Sequence, residues 1–326
     1  MNQGVRVPVE SAEAEKQSLQ RAGELKDGLR PLHEQDYVVF PVTSSYDGST
    51  VERDFPSYDT TPSFREKARE LLSGEEMKSL ISSYDIIGRI ALIQIRTELE
   101  HKEVELAKAL LDANPQVDTV RKRSEARTGK YRLRSTTYLA GEETSMTTHT
   151  EHGVTLQVDV DTVYFSPRLS RERARIATLV EPEESVLVMF SGCAPYPCVI
   201  AQEAAPERVT GVEWNEAGHR LGLRNVEENG FGDIITLCNG DVRRVVPDLG
   251  VFDRVIMPAP HSADGYLDLL GEVLRREGSA HVYRFEESPS EDWIDVEDRE
   301  VTVHNIEHCG DRSPSEARVC YDIVMD

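Results

Sequence analysis

The 326-residue sequence has few lysines, few aromatic residues and no long apolar segment. No stretch approaches the ~18 consecutive apolar residues of a membrane-spanning helix, and no basic segment followed by an apolar one precedes residue 30. We therefore expect neither a membrane anchor nor a secretory signal. The five cysteines are an odd number without a Cys-x2-Cys pair, which argues against a disulfide framework and a zinc site. They are typical of free thiols in a reducing cytoplasm.

Other ligand-binding signatures are missing as well. The sequence contains no Gly-x-Gly-x-x-Gly motif, which disfavours a nicotinamide dinucleotide, and no Walker motif, which disfavours ATP. His149 and His152 could ligate a metal ion, but no cluster of further ligands follows them. We expect ordinary histidines there and no metal site.

The charge balance is strongly acidic. Fifty-nine acidic residues oppose 37 basic ones, giving a net charge of −22, and only eight of the basic residues are lysine. A uniformly acidic surface repels nucleic acid. However, an acidic, lysine-poor composition is also typical of salt-adapted proteins, such as those of halophilic archaea. In that case net charge does not exclude an RNA partner, and local charge decides.

Two basic clusters interrupt the acidic background. Between Thr119 and Arg134, seven cationic residues accompany Glu125 alone, a local net charge of +6, and four arginines surround Glu172 between Pro167 and Ile176. Arginine forks match phosphate geometry, although a solvated helix face with Arg–Glu pairs is the alternative. We predict that RNA is bound by Arg121, Lys122, Arg123, Lys130, Arg134, Arg168, Arg171 and Arg173.

The apolar pattern predicts four segments. Residues 1–63 form an N-terminal region whose first 35 residues are interpreted as a partly ordered tail, and residues 64–81 form a linker helix. Residues 82–166 are rich in strand patterns, including 84–95 and 162–165, and predict an α+β domain. Residues 167–326 alternate strands and helices, which predicts an α/β, doubly wound, mostly parallel, Rossmann-like sheet.

Chemistry-bearing residues follow three consecutive strands of that last segment. A tight turn containing Gly192 and Pro195 follows Phe190, Glu213 follows the second strand, and Asp241 follows the third. Ligands bind at the carboxyl ends of such strands, where an acid can hold a ribose diol and another can contact an adenine edge. Plain structural turns are the alternative. The pattern favours a nucleotide-type cofactor, and without the glycine motif we expect S-adenosylmethionine rather than NAD.

Several motifs make the chain resemble the archaeal and eukaryotic tRNA (guanine-37 N1)-methyltransferases. The resemblance runs from about Phe64 to the C-terminus, and its most specific motif is Tyr164-Phe-Ser-Pro-Arg-Leu. The other matching segments are Tyr84-Asp-Ile-Ile-Gly-Arg-Ile-Ala-Leu-Ile, Tyr131-Arg-Leu-Arg, Leu139-Ala-Gly-Glu, Val188-Met-Phe-Ser-Gly-Cys-Ala-Pro-Tyr, Gly240-Asp-Val-Arg and Asp253-Arg-Val-Ile-Met-Pro-Ala-Pro. The resemblance implies a class I methyltransferase domain behind a tRNA-contacting domain. It also implies methyl transfer from S-adenosylmethionine to N1 of guanosine 37, beside the anticodon.

The same resemblance implies roles for two charged residues. Arg132 and Glu172 match the family's reacting residues, and the chemistry is consistent with this. N1 of guanine must lose a proton as the methyl arrives, so a carboxylate base is needed, and a guanidinium can stabilise charge building on O6. The alternative for Glu172 is pairing within its helix with Arg168 or Arg175.

The family's cofactor contacts carry over to Phe190, Gly192, Pro195, Glu213 and Asp241. The segment after the fourth strand departs from the family, which often has Asn-Leu-Pro where this chain has Pro258-Ala-Pro260. Because some archaeal relatives carry proline there, we interpret Pro258 and Pro260 as a branch feature of the cofactor site. The region before Phe64 matches the family poorly.

Two alternatives remain open at the level of the sequence. One is the aminocarboxypropyl transferase of wyosine synthesis, which uses the same cofactor at position 37 but lacks the Pro-x-Pro after Ile-Met. The other is a catalytically silent tRNA-binding relative, which the missing Asn favours and the retained Arg132 and Glu172 disfavour.

Overall fold

The chain divides into two compact units, Met1–Ser63 and Phe64–Asp326. The structure is a computed structural model, and it describes residues 2–57, 62–124, 131, 133–259, 263–290, 294–296, 299–313 and 315–326. No helix within these ranges is both long enough and apolar enough to cross a membrane.

The first unit is an ordered sheet with one helix. Its elements are β1 (Asn2–Pro8), α1 (Ala12–Ala22), β2 (Leu32–Glu34), β3 (Tyr37–Pro41) and β4 (Val51–Arg53). The strand order is β2-β3-β1-β4, and β1 pairs antiparallel with both neighbours. Val5 and Val7 of β1 pack with Leu19 of α1 in a small core. The expectation of a partly ordered tail over residues 1–35 is therefore wrong, because two buried valines and strand pairing on both sides suffice to order this polar segment.

A mixed sheet and the helices on one of its faces begin the second unit. Its elements are α2 (Phe64–Leu71), α3 (Glu76–Ser79), β5 (Tyr84–Ile87), β6 (Ile90–Ile93), α4 (Glu103–Ala113), β7 (Thr119–Arg123) and β8 (Thr136–Gly141). The strand order is β5-β6-β7-β8, with β6 and β7 parallel across α4. The single strand expected over residues 84–95 is a hairpin, because Gly88 takes a left-handed conformation (φ 54°) between its two halves.

A separate hairpin links this sheet to the larger one. Strands β9 (Met146–Glu151) and β10 (Val154–Asp159) pair antiparallel. The buried side chains of β10, such as Leu156, share one apolar cluster with Val186 and Val188 of the larger sheet. The predicted boundary between residues 166 and 167 therefore does not separate two hydrophobic cores. The strand expected over residues 162–165 is an irregular segment in the structure.

The larger sheet has seven strands in the order β13-β12-β11-β14-β15-β17-β16. Its elements and helices are α5 (Ser170–Leu179), β11 (Ser185–Met189), α6 (Pro195–Glu203), β12 (Arg208–Glu213), α7 (Glu216–Glu228), β13 (Ile235–Asn239), α8 (Val242–Val245), β14 (Phe252–Met257), α9 (Leu267–Val273), β15 (Leu274–Glu286), β16 (Val301–Ser313) and β17 (Glu316–Met325). Among the described strands of this sheet, only β17 runs in the direction opposite to the others. The predicted mostly parallel, doubly wound sheet is thus present.

The strand order reverses at β11. The chain passes from β11 to β12 on one side, and it returns to β14 on the other side. Connections that leave a sheet in opposite directions open a crevice at the carboxyl ends of the two strands. The fold therefore places residues 190–195, 213–215 and 258–259 around one crevice.

The backbone at Gly141, the last residue of β8, lies very close to the backbone at the start of β7. This glycine has a φ of 89°, and an added Cβ would collide with the carbonyl oxygen of Asp118. We expect Gly141→Ala to lower the free energy of unfolding by about 2–5 kcal/mol, because backbone strain and overpacking add. The control is Gly230→Ala, with a similar φ of 75° and open space around it, which should cost only about 1 kcal/mol. Equal losses in urea unfolding would contradict the close approach.

Candidate functional site

A cavity of about 420 Å³ lies at the carboxyl ends of β11, β12 and β14. The residues that line its described part fall into five groups: Tyr131 and Leu133; Val163–Ser166, Leu169 and Arg173; Phe190–Gly192, Pro195 and Tyr196; Glu213–Asn215 and Gly218; Pro258, Ala259, Tyr266 and Arg318. We call it the strand-end cavity.

The turn after β11 forms one wall of this cavity and is strained. Phe190, Gly192 and Ala194 all have a positive φ, between 58° and 64°, which is costly for the two residues other than glycine. Hydrogen bonds hold the turn in place. The Ser191 N–H donates to the carbonyl of Val212 at 2.9 Å, and the Asn225 side-chain amide donates to the Cys193 carbonyl at 2.8 Å. The strain therefore persists because β12 and α7 fix the turn from outside.

Glu213 closes the opposite wall. Its carboxylate accepts hydrogen bonds from the backbone N–H groups of Gly192, at 2.7 Å, and of Asn215, at 2.6 Å. Burial raises the pKa of Glu213, although the backbone donors act in the other direction. A carboxylate offers about four acceptor positions, so these backbone donors leave part of its capacity open. The group can therefore accept hydrogen bonds from the hydroxyls of a ribose.

The residues around the turn fit a polar cofactor. Ser191 lines the cavity, and its buried hydroxyl oxygen has no hydrogen-bond partner among the described residues. A Cβ at Gly218 would lie 3.3 Å from the Cγ of Glu213 and 3.5 Å from the carbonyl carbon of Gly192, so glycine lets α7 approach the turn. A buried hydroxyl without a partner, in a residue of the cavity wall, can be satisfied by a ligand with polar substituents such as a nucleoside.

Aromatic rings also line the cavity, and among them sequence reasoning missed Tyr131, Trp214 and Tyr266. Tyr131 meets Trp214 edge to face, with ring centroids 6.0 Å apart, and Phe190 meets Tyr266 in the same way at 5.0 Å. Trp214 is 47% exposed although it is large and apolar. Exposed rings of this kind can stack on a base. A tryptophan directly after the strand-end acid was the available signal.

The other predicted cofactor residues are placed differently. Pro195 is the first residue of α6, where a missing N–H is tolerated, and it lines the cavity as Pro258 does. Asp241 caps α8 by accepting from the Arg243 N–H at 3.0 Å, and it is absent from the described lining. Pro260 lies outside the described residues.

Glu172 is buried behind the cavity wall. It is 5% exposed, and Arg175 donates to both of its oxygens at 2.8 Å, while the Tyr283 hydroxyl donates at 2.5 Å. The described lining of the cavity includes its neighbour Arg173 but not Glu172. The structure thus shows the pairing within the helix that was the alternative for this residue. Arg132, the other predicted reacting residue, lies outside the described residues.

Two of the arginines that are predicted to bind RNA donate hydrogen bonds to acceptors within the protein. Arg121 is buried and donates to the Thr136 hydroxyl, the Thr144 carbonyl and Asp161, at 2.6, 3.0 and 2.6 Å. Arg173 is 2% exposed and holds both oxygens of Glu151, at 2.5 and 2.7 Å. The sequence does not reveal these acceptors within the protein, and that either arginine binds RNA stays a prediction.

The carboxylate that pairs with Arg173 is strongly acidic. Burial opposes its ionisation, but hydrogen bonds from His149 and Arg173 lower the pKa of Glu151 to about 2. The pair is therefore charged throughout the physiological range and anchors α5 to β9.

The remaining predicted RNA contacts lie closer to the surface. Lys122 pairs with Glu103 at 2.5 Å and with Glu100 at 3.4 Å, and its hydrogen bond to Glu103 raises its pKa. Arg171 is exposed on α5. Arg123, Arg134 and Arg168 line a second cavity. Lys130 lies outside the described residues.

Comparisons with known proteins agree with this architecture. The profile of the TRM5/TYW2 methyltransferase domain matches residues 147–306, and that of the TYW2 N-terminal domain matches residues 48–144. The tRNA (guanine(37)-N(1))-methyltransferase Trm5b of Pyrococcus abyssi is 30% identical over 287 residues, which are 87% of this chain and 84% of that protein. The crystal structure of wild-type Trm5b from Pyrococcus abyssi superposes with a TM-score of 0.75 at 27% identity, covering 100% of both chains. The tRNA(Phe) (4-demethylwyosine(37)-C(7)) aminocarboxypropyltransferase of Methanocaldococcus jannaschii is 30% identical over 156 residues, 48% of this chain and 61% of that protein.

Glu213→Gln should weaken binding of S-adenosylmethionine about tenfold or more, because the side chain keeps its shape but loses the charged acceptor. Isothermal titration calorimetry measures the change. The matched control is Glu216→Gln, which alters an exposed carboxylate that lies in the first turn of α7 and pairs with Arg220.

The pH dependence gives a second test of Glu213. Because burial raises its pKa, the folded protein protonates this carboxylate at a higher pH than an exposed glutamate. Wild-type affinity should therefore fall as the pH is lowered into the acidic range, and the Glu213→Gln variant should lack this part of the decline. Parallel pH profiles for the two proteins would contradict the role of Glu213.

Proposed function

The chain belongs to the TRM5/TYW2 methyltransferase family, and from that premise we propose that it transfers a methyl group from S-adenosylmethionine to N1 of guanosine 37 in tRNA. The observation that carries the proposal is the strand-end cavity, which Glu213, Ser191 and the exposed residue Trp214 line together. The match to Trm5b over 87% of the chain selects the reaction among those such a cavity supports. We expect the anticodon stem-loop to be the bound part of the tRNA and the protein to act in the cytoplasm.

The cavity residues divide into a cofactor side and a base side. On the cofactor side, the turn at Phe190–Gly192 limits the depth of the cavity and Glu213 accepts from the ribose hydroxyls. The cofactor supplies an electrophilic methyl group on a sulfonium centre. On the base side, Tyr131 and Trp214 offer ring faces on which the target guanine can stack. The residues thus hold N1 and the methyl donor together, which is the largest part of what such a site must do.

The proton on N1 requires an acceptor. We retain Glu172 as the proposed general base and Arg132 as the proposed donor to O6. In the structure the carboxylate of Glu172 is held by Arg175 and Tyr283, so it must leave these partners to reach N1. Leu169 just before its helix and Arg173 within it already line the cavity, so the movement that we propose is a rotation of the Glu172 side chain.

The product distinguishes this reaction from its relatives. After incubation with unmodified tRNA transcript and S-adenosylmethionine, we expect mass spectrometry of the nucleosides to find 1-methylguanosine at position 37. A transcript with adenosine at position 37 is the control and should stay unmodified. Unmodified guanosine 37 at saturating enzyme and cofactor would contradict the proposal.

A second candidate is aminocarboxypropyl transfer at the same position. It is favoured by the match of residues 48–144 to the TYW2 N-terminal domain. The same cavity would hold the same cofactor. The base would attack the aminocarboxypropyl carbon on the cofactor's sulfur instead of the methyl carbon. A tRNA carrying 4-demethylwyosine at position 37, tested beside the guanosine transcript, separates the two because the mass gained is that of an aminocarboxypropyl group instead of a methyl group.

Glu172→Gln decides the role of this carboxylate. If Glu172 is the general base, it contributes about 10²–10⁴-fold to the rate of methyl transfer. The single-turnover rate of the variant should then fall by that factor with tRNA and cofactor saturating. The control is Glu184→Gln, which breaks another bidentate Arg–carboxylate pair, with Arg254, at the amino end of β11. A rate within about threefold of wild type, together with the same loss of thermal stability as in the control, would make Glu172 a structural partner of Arg175.

A further inference from the structure

A second cavity, of about 570 Å³, adjoins the strand-end cavity. Its walls come from the β5–β8 sheet, from the segment before α5 and from the β16–β17 hairpin. Five arginines line it: Arg123, Arg134, Arg168, Arg312 and Arg318. The carboxylates in its described lining are Asp85 and Asp311. We call it the arginine cavity. Such an excess of positive charge is unusual in a chain of net charge −22.

The arginines differ in whether their guanidinium groups have partners within the protein. Arg123 and Arg168 both pair with Asp85, at 2.9 and 2.6 Å, and Arg312 pairs with Glu316 at 2.7 Å. The Nε atom of Arg134 is buried and has no hydrogen-bond partner within the described part of the chain. Burial, followed by the positive charge of Arg123, lowers the pKa of Arg134. A buried guanidinium N–H beside other cations is suited to an anionic acceptor.

The two cavities share a wall. Leu133, Tyr164 and Arg318 line both, together with Val163, Phe165, Ser166 and Leu169. Arg318 donates to the Tyr164 hydroxyl at 3.2 Å, so an arginine stands at the shared boundary. A ligand that spans the boundary meets stacking rings and a methyl donor on one side, and guanidinium groups on the other. A nucleotide has this division into a flat base and an anionic phosphate.

We infer that the arginine cavity binds a backbone phosphodiester of the RNA next to the nucleotide that enters the strand-end cavity, with Arg134 and Arg318 as positioning residues. The inference rests on the proposed function and names the part of the substrate that this cavity holds. A phosphodiester accepts hydrogen bonds from two guanidinium forks at once, which fixes the register of the RNA without reading its sequence. Arg312 and Arg318 come from the C-terminal hairpin, outside both basic clusters of the sequence.

The test is a double-mutant cycle between one arginine and one phosphate. Anticodon stem-loop RNAs carry a single uncharged methylphosphonate at each linkage around position 37 in turn, and binding is measured by fluorescence anisotropy without cofactor. At one linkage the substitution should weaken binding to wild-type protein about tenfold, the loss of one charged hydrogen-bonding pair. At that linkage the Arg134→Gln variant should bind modified and unmodified RNA within about twofold of each other.

The controls separate the subsite from folding and from general charge. Arg208→Gln removes an exposed arginine at the amino end of β12, opposite the cavities, and should stay as sensitive as wild type at every linkage. Arg318→Gln repeats the cycle if Arg134→Gln does not fold. The inference would be overturned if the arginine substitution and the methylphosphonate weakened RNA binding additively at every linkage for both cavity variants. It would also be overturned if inorganic phosphate alone competed with the RNA and no linkage were sensitive. Wild-type protein that fails to methylate guanosine 37 would instead overturn the proposed function, which is assayed separately on the unmodified transcript.

Discussion

The hydrogen bonds that the N–H groups of Gly192 and Asn215 donate to the carboxylate of Glu213 join the two strand ends on which the cavity is built. These bonds act beside those of Ser191 and Asn225, which also hold the strained turn after β11 to β12 and α7. The same carboxylate is the group we assign to the cofactor ribose. One side chain therefore both shapes the turn and offers the cofactor an acceptor, so the site is organised before a ligand arrives.

A buried polar network supports α5 from behind. Arg254 holds both oxygens of Glu184, at 2.7 and 2.9 Å, and donates to His281 at 2.8 Å, and His281 in turn bonds Asp322 at 2.6 Å. Asp322 then accepts from Arg175 on α5 at 2.7 Å. Burial lowers the pKa of His281, and hydrogen bonds from His281 and Arg175 hold the pKa of Asp322 well below its usual range despite burial. Both ring nitrogens of His281 are thus engaged, and the nearby guanidinium groups disfavour a metal ion among His281, Cys320 and Asp322.

Strand periodicity was sufficient to predict the large sheet and to place Glu213 at its carboxyl edge, because both depend on short stretches of sequence. Charge was less informative. Arg121 and Arg173 belong to basic clusters, yet each lies over a carboxylate contributed by a distant segment. Arg312 and Arg318 stand in an acidic stretch and gain their setting only when β16 pairs with β17. The pattern of charges along a chain records composition, whereas the environment of a charge is set by tertiary contacts.

The position of β17 has a consequence for synthesis of the protein. This strand lies in the sheet between β15 and β16, although both precede it in the chain. Until residue 325 has left the ribosome, the edge of β15 that pairs with β17 in the folded protein has no hydrogen-bonding partner. An open edge of this kind is a template for pairing with other chains. Asp322, which braces α5, is delivered by the same late strand. The nascent chain therefore exposes an aggregation-prone edge during the same interval in which the support of its proposed active site is still missing.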